Sequence, residues 1–187
     1  MKPLATKLAG ACAIVALIAG AVLWLNARQV GVPIDSYKGV AVYDNGPLAY
    51  KSHGRNYSPA GYYYGQKWQC VEFVKRFFDQ AKGHQMPDVW GHAKDFFDPA
   101  VAQGEMNGRR GLRQFYNGSN APPAVDDLFV FTGAYGHVGI VSELTSNSVE
   151  IVQQNIYGKP RARFAITMTN GCHTVLSGNL LGWLRKD

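Results

Sequence analysis

The chain has 187 residues, of which 47% are hydrophobic and 17% charged, a balance that excludes an intrinsically disordered chain and leaves room for one domain with a real core. The formal charge is +6; Lys2 and Lys7 carry two of those charges and residues 1–27 hold no acid, so residues 28–187 carry only +4. There is no basic run or basic helix stripe, so no nucleic acid is expected as a partner.

Leu8 to Leu25 is an uninterrupted apolar run of 18 residues, with Lys2 and Lys7 before it and Arg28 after it. Its length and flanking charges predict a single transmembrane helix anchored in the inner membrane, with the domain facing the periplasm. Secretion to the periplasm after cleavage behind Ala27 is the alternative, although Leu25 matches poorly the small residue a signal peptidase needs. Cys12 lies inside the apolar run rather than after it, which argues against lipid attachment. Residues 1–27 thus read as an anchor or signal segment, 28–40 as a tether and 41–187 as the domain.

Val40 to Tyr43 reads as a short strand, ended by the turn Asp44-Asn45-Gly46-Pro47. Tyr62-Tyr63-Tyr64-Gly65 leads into Gln66-Lys67-Trp68-Gln69-Cys70-Val71-Glu72-Phe73. Apolar residues at Phe73, Val74, Phe77, Phe78 and Ala81 follow the one-sided spacing of a helix, with Lys75, Arg76 and Asp79 on its other side and Gly83 as its stop. Cys70 falls in the first turn, among unpaired backbone N–H groups at the positive end of the helix, where a thiolate is stabilised. Taken alone, Cys70 reads as well as a small buried residue packed under the helix.

Pro87 suits the start of a second helix with Val89, Trp90, Ala93, Phe96 and Phe97 on one face. Residues 103–123 read as a long surface loop with Arg109, Arg110 and Arg113 as solvated charges; a minority reading has those arginines meeting a substrate carboxylate. The rest reads as strands: Leu128–Phe131, a hairpin from His137 to Asn155, the alternating run from Arg161 to Met168, and Leu181–Leu184. His84 and His92 are eight residues apart without a cysteine or acid at ligand spacing, so no metal site and no cofactor are expected.

A hairpin folded about Ser146 pairs Glu143 with Val149, Val141 with Ile151, Gly139 with Gln153 and His137 with Asn155. Strand alternation then puts His137, Gln153 and Asn155 on one face. Docked on Cys70, that face holds what amide hydrolysis by a thiol needs. His137 serves as a base, since an imidazole titrates near neutrality. The side-chain oxygen of Gln153 or Asn155 fixes the ring. The backbone N–H of Cys70 receives the oxyanion, with Gln69, Gln66 or Tyr64 as second donor.

These blocks, Trp68-Gln69-Cys70-Val71-Glu72-Phe73, Gly136-His137-Val138-Gly139-Ile140-Val141 and Gln153-Gln154-Asn155, together with Asn170-Gly171-Cys172 and Leu181-Gly182-Trp183, resemble the CHAP family of cysteine- and histidine-dependent amidohydrolases and peptidases. Within it they look most like the amidase domains of bacterial glutathionylspermidine synthetase/amidases. The resemblance covers roughly Tyr43 to Leu184. It implies an α+β, papain-like fold of the CHAP/NlpC-P60 type, with the nucleophile-bearing helix packed on an antiparallel sheet. It also implies Cys70 as nucleophile and His137 as base. Gln153 stands where the family usually has a glutamate, and a neutral amide orients imidazole without stabilising its charged form. Cys172 matches a family cysteine, which argues against a disulfide with Cys70. The expected partner is a peptide-like amide, either glutathionylspermidine or, on the strength of the apolar run, a peptidoglycan stem peptide. The competing expectation is a binding module that has kept the pocket and lost the chemistry.

Overall fold

The computed structural model describes residues 14–20, 22 and 29–187, and in it the domain is α+β. Eight strands form one antiparallel sheet in the order β11-β10-β9-β8-β7-β12-β6-β5. These are β5 (Met106–Asn107), β6 (Leu112–Tyr116), β7 (Leu128–Phe131), β8 (His137–Leu144), β9 (Ser148–Gln153), β10 (Arg161–Thr169), β11 (Cys172–Val175) and β12 (Leu180–Arg185). Two small ribbons precede it: β1 (Pro33–Tyr37) with β2 (Val40–Tyr43), and β3 (Arg55–Tyr57) with β4 (Tyr63–Gln66). The helix α1 spans Cys70–Lys82 and starts at the expected residue. Its end follows from Gly83, whose left-handed φ of 59° lets the amides of Gly83 and His84 close on the carbonyls of Asp79 and Phe78.

The sheet buries apolar side chains on both faces, as the unbroken run Leu128–Phe131 requires. On one face Phe73, Val74, Phe77 and Phe78 of α1 pack with Val130, Val138 and Ile140. On the other, Phe129, Val141, Ile151 and Trp183 form a second cluster. The polar side of α1 is not solvated as its spacing predicts. Glu72 and Lys75 are wholly buried and Arg76 nearly so, because neighbouring segments cover them. Arg76 Nε lies 2.6 Å from Glu72, and Lys75 Nζ donates to the Val89 carbonyl at 3.0 Å.

Several expectations are corrected. The segment after Pro87 makes only one 3-10 turn, Ala93–Phe96, because Gly91 sits at φ +108° and the chain restarts with Asp95 accepting from the His92 amide. The supposed loop 103–123 contains β5 and β6. Polar residues hid this pairing: Gln114 is fully buried, accepting from the Asp98 amide and Asn107 and donating to the Asp98 carbonyl. Residues 33–37, read within a tether, form β1 against β2. Arg110 is fully buried rather than solvated, its guanidinium 4.0 Å from the Phe96 ring centroid. Leu180–Arg185 lies between β7 and β6, inside the sheet.

The inner-membrane, periplasm-facing placement is also corrected. Among the described residues no helix is long and apolar enough to cross a membrane. Residues 14–20 and 22 of the apolar run are helical; 8–13, 21 and 23–25 lie outside the described residues, as does the cleavage position after Ala27. The peptidoglycan stem peptide drew its support from that anchor and is left without it.

Candidate active site

Cys70 begins α1 at the floor of an open cleft of about 710 Å³ that His137, Gln66, Gln69 and Asn155 also line. The residue is only 8% exposed. Its thiol is not activated as the helix-start argument predicts. Burial pushes it up to about 11, and the backbone N–H groups of Val138, Val71 and Cys70 itself offset this only in part. Desolvation of a thiolate at the cleft floor outweighs the helix terminus. Cys70 and Cys172 are both free thiols.

His137 opens β8, and Gly136 before it makes that possible. Gly136 has φ +73°, and a Cβ there would lie 2.5 Å from the Lys94 amide nitrogen and 2.6 Å from the Phe131 carbonyl oxygen. The half-buried imidazole faces the cleft with Nε2 2.9 Å from Gln153 Oε1. Gln153 Nε2 donates to the Lys159 carbonyl at 3.0 Å, so the amide must present its oxygen to the ring. The ring therefore donates from Nε2 and keeps Nδ1 as a free lone pair. Burial depresses the His137 pKa, with the Gln153 hydrogen bond opposing. Both shifts favour the uncharged forms of the thiol and the imidazole.

The hairpin keeps two of the four expected pairings, Val141 with Ile151 and Gly139 with Gln153. An irregularity between Val141 and Glu143 sets Glu143 opposite Glu150 instead of Val149. His137 pairs across to Phe131 on β7, and β9 ends at Gln153, so the predicted pairing with Asn155 does not form. Asn155 turns away at φ +70°. Its amide donates to the Ala49 carbonyl at 2.9 Å and to Gln69 Oε1, and its oxygen accepts from Asn45 at 2.8 Å.

Gln69 is committed to the same network. Its Nε2 donates to the carbonyls of Ala49 and Lys51 at 3.0 and 2.9 Å, which leaves the side chain no donor for a substrate oxygen. Tyr64 is 2% exposed, does not line the cleft, and spends its hydroxyl on Asp79. Gln66 is the candidate the geometry favours. Ser52 Oγ donates to Gln66 Oε1 at 2.6 Å, which turns the amide nitrogen the other way.

Sequence reasoning passed over two supports. Buried Gln154 accepts from the Tyr43 amide and donates to the Gln69 carbonyl and to Glu72, joining β2, the head of α1 and the end of β9. Asn45 accepts from the Trp68 amide at 3.0 Å and donates to Asn155. Their signal was the cluster of carboxamides flanking the cysteine and histidine blocks.

A profile of the CHAP domain matches residues 61–155, which takes in Cys70, His137, Gln153 and Asn155. The chain belongs to the CHAP domain family. That places it in a family of cysteine amidases and peptidases. The bifunctional glutathionylspermidine synthetase/amidase of Escherichia coli K12 is 32% identical over 139 residues, covering 65% of this chain and 22% of that protein. The corresponding protein of Shigella flexneri matches equally. Trypanothione synthetase of Crithidia fasciculata is 34% identical over 100 residues, covering 49% of this chain and 15% of that protein. The chain thus spans about a fifth of the length of the first curated relatives it matches.

Proposed function

We propose that this CHAP-family chain is a thiol amidohydrolase that cleaves the C–N bond of a peptide-like amide. The observation that carries the reading is the oriented imidazole: His137 lines the cleft with Cys70, and its Nε2 is held by Gln153, whose own amide nitrogen is held by the Lys159 carbonyl.

Nδ1 takes the Cys70 proton as Sγ attacks the substrate carbonyl carbon, forming the C–S bond and a tetrahedral oxyanion. The Cys70 backbone N–H and the Gln66 amide donate to that oxygen. The imidazolium then returns the proton to the amide nitrogen, the C–N bond breaks and the amine leaves. Water, deprotonated by the same imidazole, opens the thioester and restores the thiol. Burial favours the uncharged form of both partners, which suits proton transfer that accompanies attack. Asn155 acts as an anchor of the loop around Ala49, not as the orienting residue for His137.

Hydrolysis of a panel of peptide amides by the reduced chain, with Cys70→Ala as control, tests the reading. The panel includes glutathionylspermidine, which the Escherichia coli relative's name contains, beside amides without a polyamine. Turnover by wild type and none by Cys70→Ala is expected; no turnover of any amide argues for the alternative. That alternative is a binding module, and a thiol that burial pushes up to about 11, with an uncharged Gln153 rather than a carboxylate on His137, favours it.

A further inference from the structure

The cleft carries a charge pattern that restricts its ligand. Among the described residues, no Asp, Glu, Lys or Arg side chain lines it. Two aromatic pairs line it. Tyr63 and Trp90 have ring centroids 5.2 Å apart, and the His92 and Tyr135 rings lie 4.9 Å apart. Trp90 is 61% and Tyr135 68% exposed, and both line the cleft.

Behind these rings the charges are mainly positive. Lys75, fully buried, holds its ammonium 4.9 Å from the Tyr63 ring centroid and donates to the Val89 carbonyl. The Arg110 guanidinium donates to the carbonyls of Asp88, Trp90 and Asp95. Lys94 Nζ donates to the Ala134 carbonyl, next to Tyr135. The nearby acids are already engaged: Asp88 pairs with Arg109 at 2.7 Å, Asp95 accepts from the His92 amide, and Glu72 pairs with Arg76.

An ammonium entering this cleft meets no free carboxylate. The Tyr63 ring, whose negative quadrupole would otherwise attract it, already has the Lys75 ammonium beside it, and like charges repel across the low-dielectric wall. Trp90 and Tyr135 offer a π face to an ammonium or to a ring, but only the uncharged ring escapes the repulsion from the cations behind the wall. We propose that the cleft admits an uncharged amide bearing a flat ring beside the scissile bond and discriminates against polyamine amides. This rests on the hydrolase reading above and names the substrate class of that site.

The test is equilibrium binding to the full chain carrying Cys70→Ala at pH 7. The probes are the benzylamide, butylamide and 4-aminobutylamide of N-acetylglycine, with a second set bearing the same three groups on the acyl side. The ring amide is expected to bind at least about tenfold more tightly than its cationic counterpart in one set. Trp90→Ala should shrink that preference, and Lys75→Met should raise affinity for the cation. Equal or tighter binding of the cationic amide in both sets overturns the proposal, as does binding of none. Turnover separates the two readings. Wild type that hydrolyses the 4-aminobutylamide fastest sinks this inference and leaves the hydrolase standing. The ring preference in Cys70→Ala, with no hydrolysis by wild type, does the reverse.

Discussion

The side-chain oxygen of Gln153 lies 2.9 Å from Nε2 of His137 because the amide nitrogen of Gln153 is held by the Lys159 carbonyl. The second contact explains why an amide suits this position. A carboxylate at residue 153 would face the Lys159 carbonyl with an acceptor, and two acceptors at that distance repel. Gln153→Glu should therefore destabilise the fold by about 1–3 kcal/mol while raising the His137 pKa, because a carboxylate favours the imidazolium. Urea denaturation and titration of the His137 ring resonances measure the two effects separately. An unchanged midpoint would mean that the Lys159 contact does not select the amide.

The pH behaviour of Cys70 follows from its burial. With the folded thiol near 11, alkylation by iodoacetamide should climb steadily through pH 7–9 without a plateau near neutrality. Stability carries the same signature. The unfolded thiol loses its proton first, from about pH 8.5, so above that pH the native state binds more protons than the unfolded state. Stability should fall between about pH 9 and pH 11 in wild type, and this component should be missing in Cys70→Ala. A plateau of alkylation at pH 7 would show an activated thiolate and contradict the buried neutral form.

The helix that bears Cys70 was legible to its first and last residues, because apolar spacing and Gly83 act locally. The His137–Gln153 relation was legible too, since strand alternation fixes which side chains share a face. Asn155 failed for a reason alternation cannot contain: the ladder ends at Gly139–Gln153, two residues short, and the chain turns at positive φ. Lys75, Arg110 and Gln114 failed for a common reason. Each is polar by type and buried by tertiary partners, among them the carbonyls of Val89, Trp90 and Asp98, which no local pattern announces. The thiol's pKa was misread because helix position is visible in sequence and desolvation is not.

Glu72 joins three elements and should be among the most sensitive positions outside the cleft. It accepts from Arg76 at 2.6 Å, from Asn56 at 2.8 Å and from Gln154 at 2.6 Å, with no exposure. Glu72→Ala strands the buried Arg76 guanidinium and two amide donors, and should cost about 3–5 kcal/mol. Glu72→Gln keeps the volume and one acceptor and should cost less, about 1–3 kcal/mol. Chemical denaturation of both variants checks the order, and equal losses would argue that shape, not charge, matters here.

Gln66 and Gln69 flank the same cysteine and should respond differently to truncation. Gln66 has its oxygen held by Ser52 and its nitrogen free for a developing oxyanion, so Gln66→Ala should lower kcat about 10²-fold with little change in KM. Gln69 spends its donors on the carbonyls of Ala49 and Lys51 and its acceptor on Asn155. Gln69→Ala should loosen the loop that forms one side of the cleft, raising KM and amide exchange of residues 49–52 more than it lowers kcat. Ser52→Ala frees the Gln66 amide to rotate and should reproduce a fraction of the Gln66→Ala loss, again in kcat. Steady-state kinetics on the best amide of the panel, with exchange measured on Gln69→Ala, distinguishes the two roles. A kcat loss in Gln69→Ala equal to that in Gln66→Ala would return the oxyanion contact to Gln69.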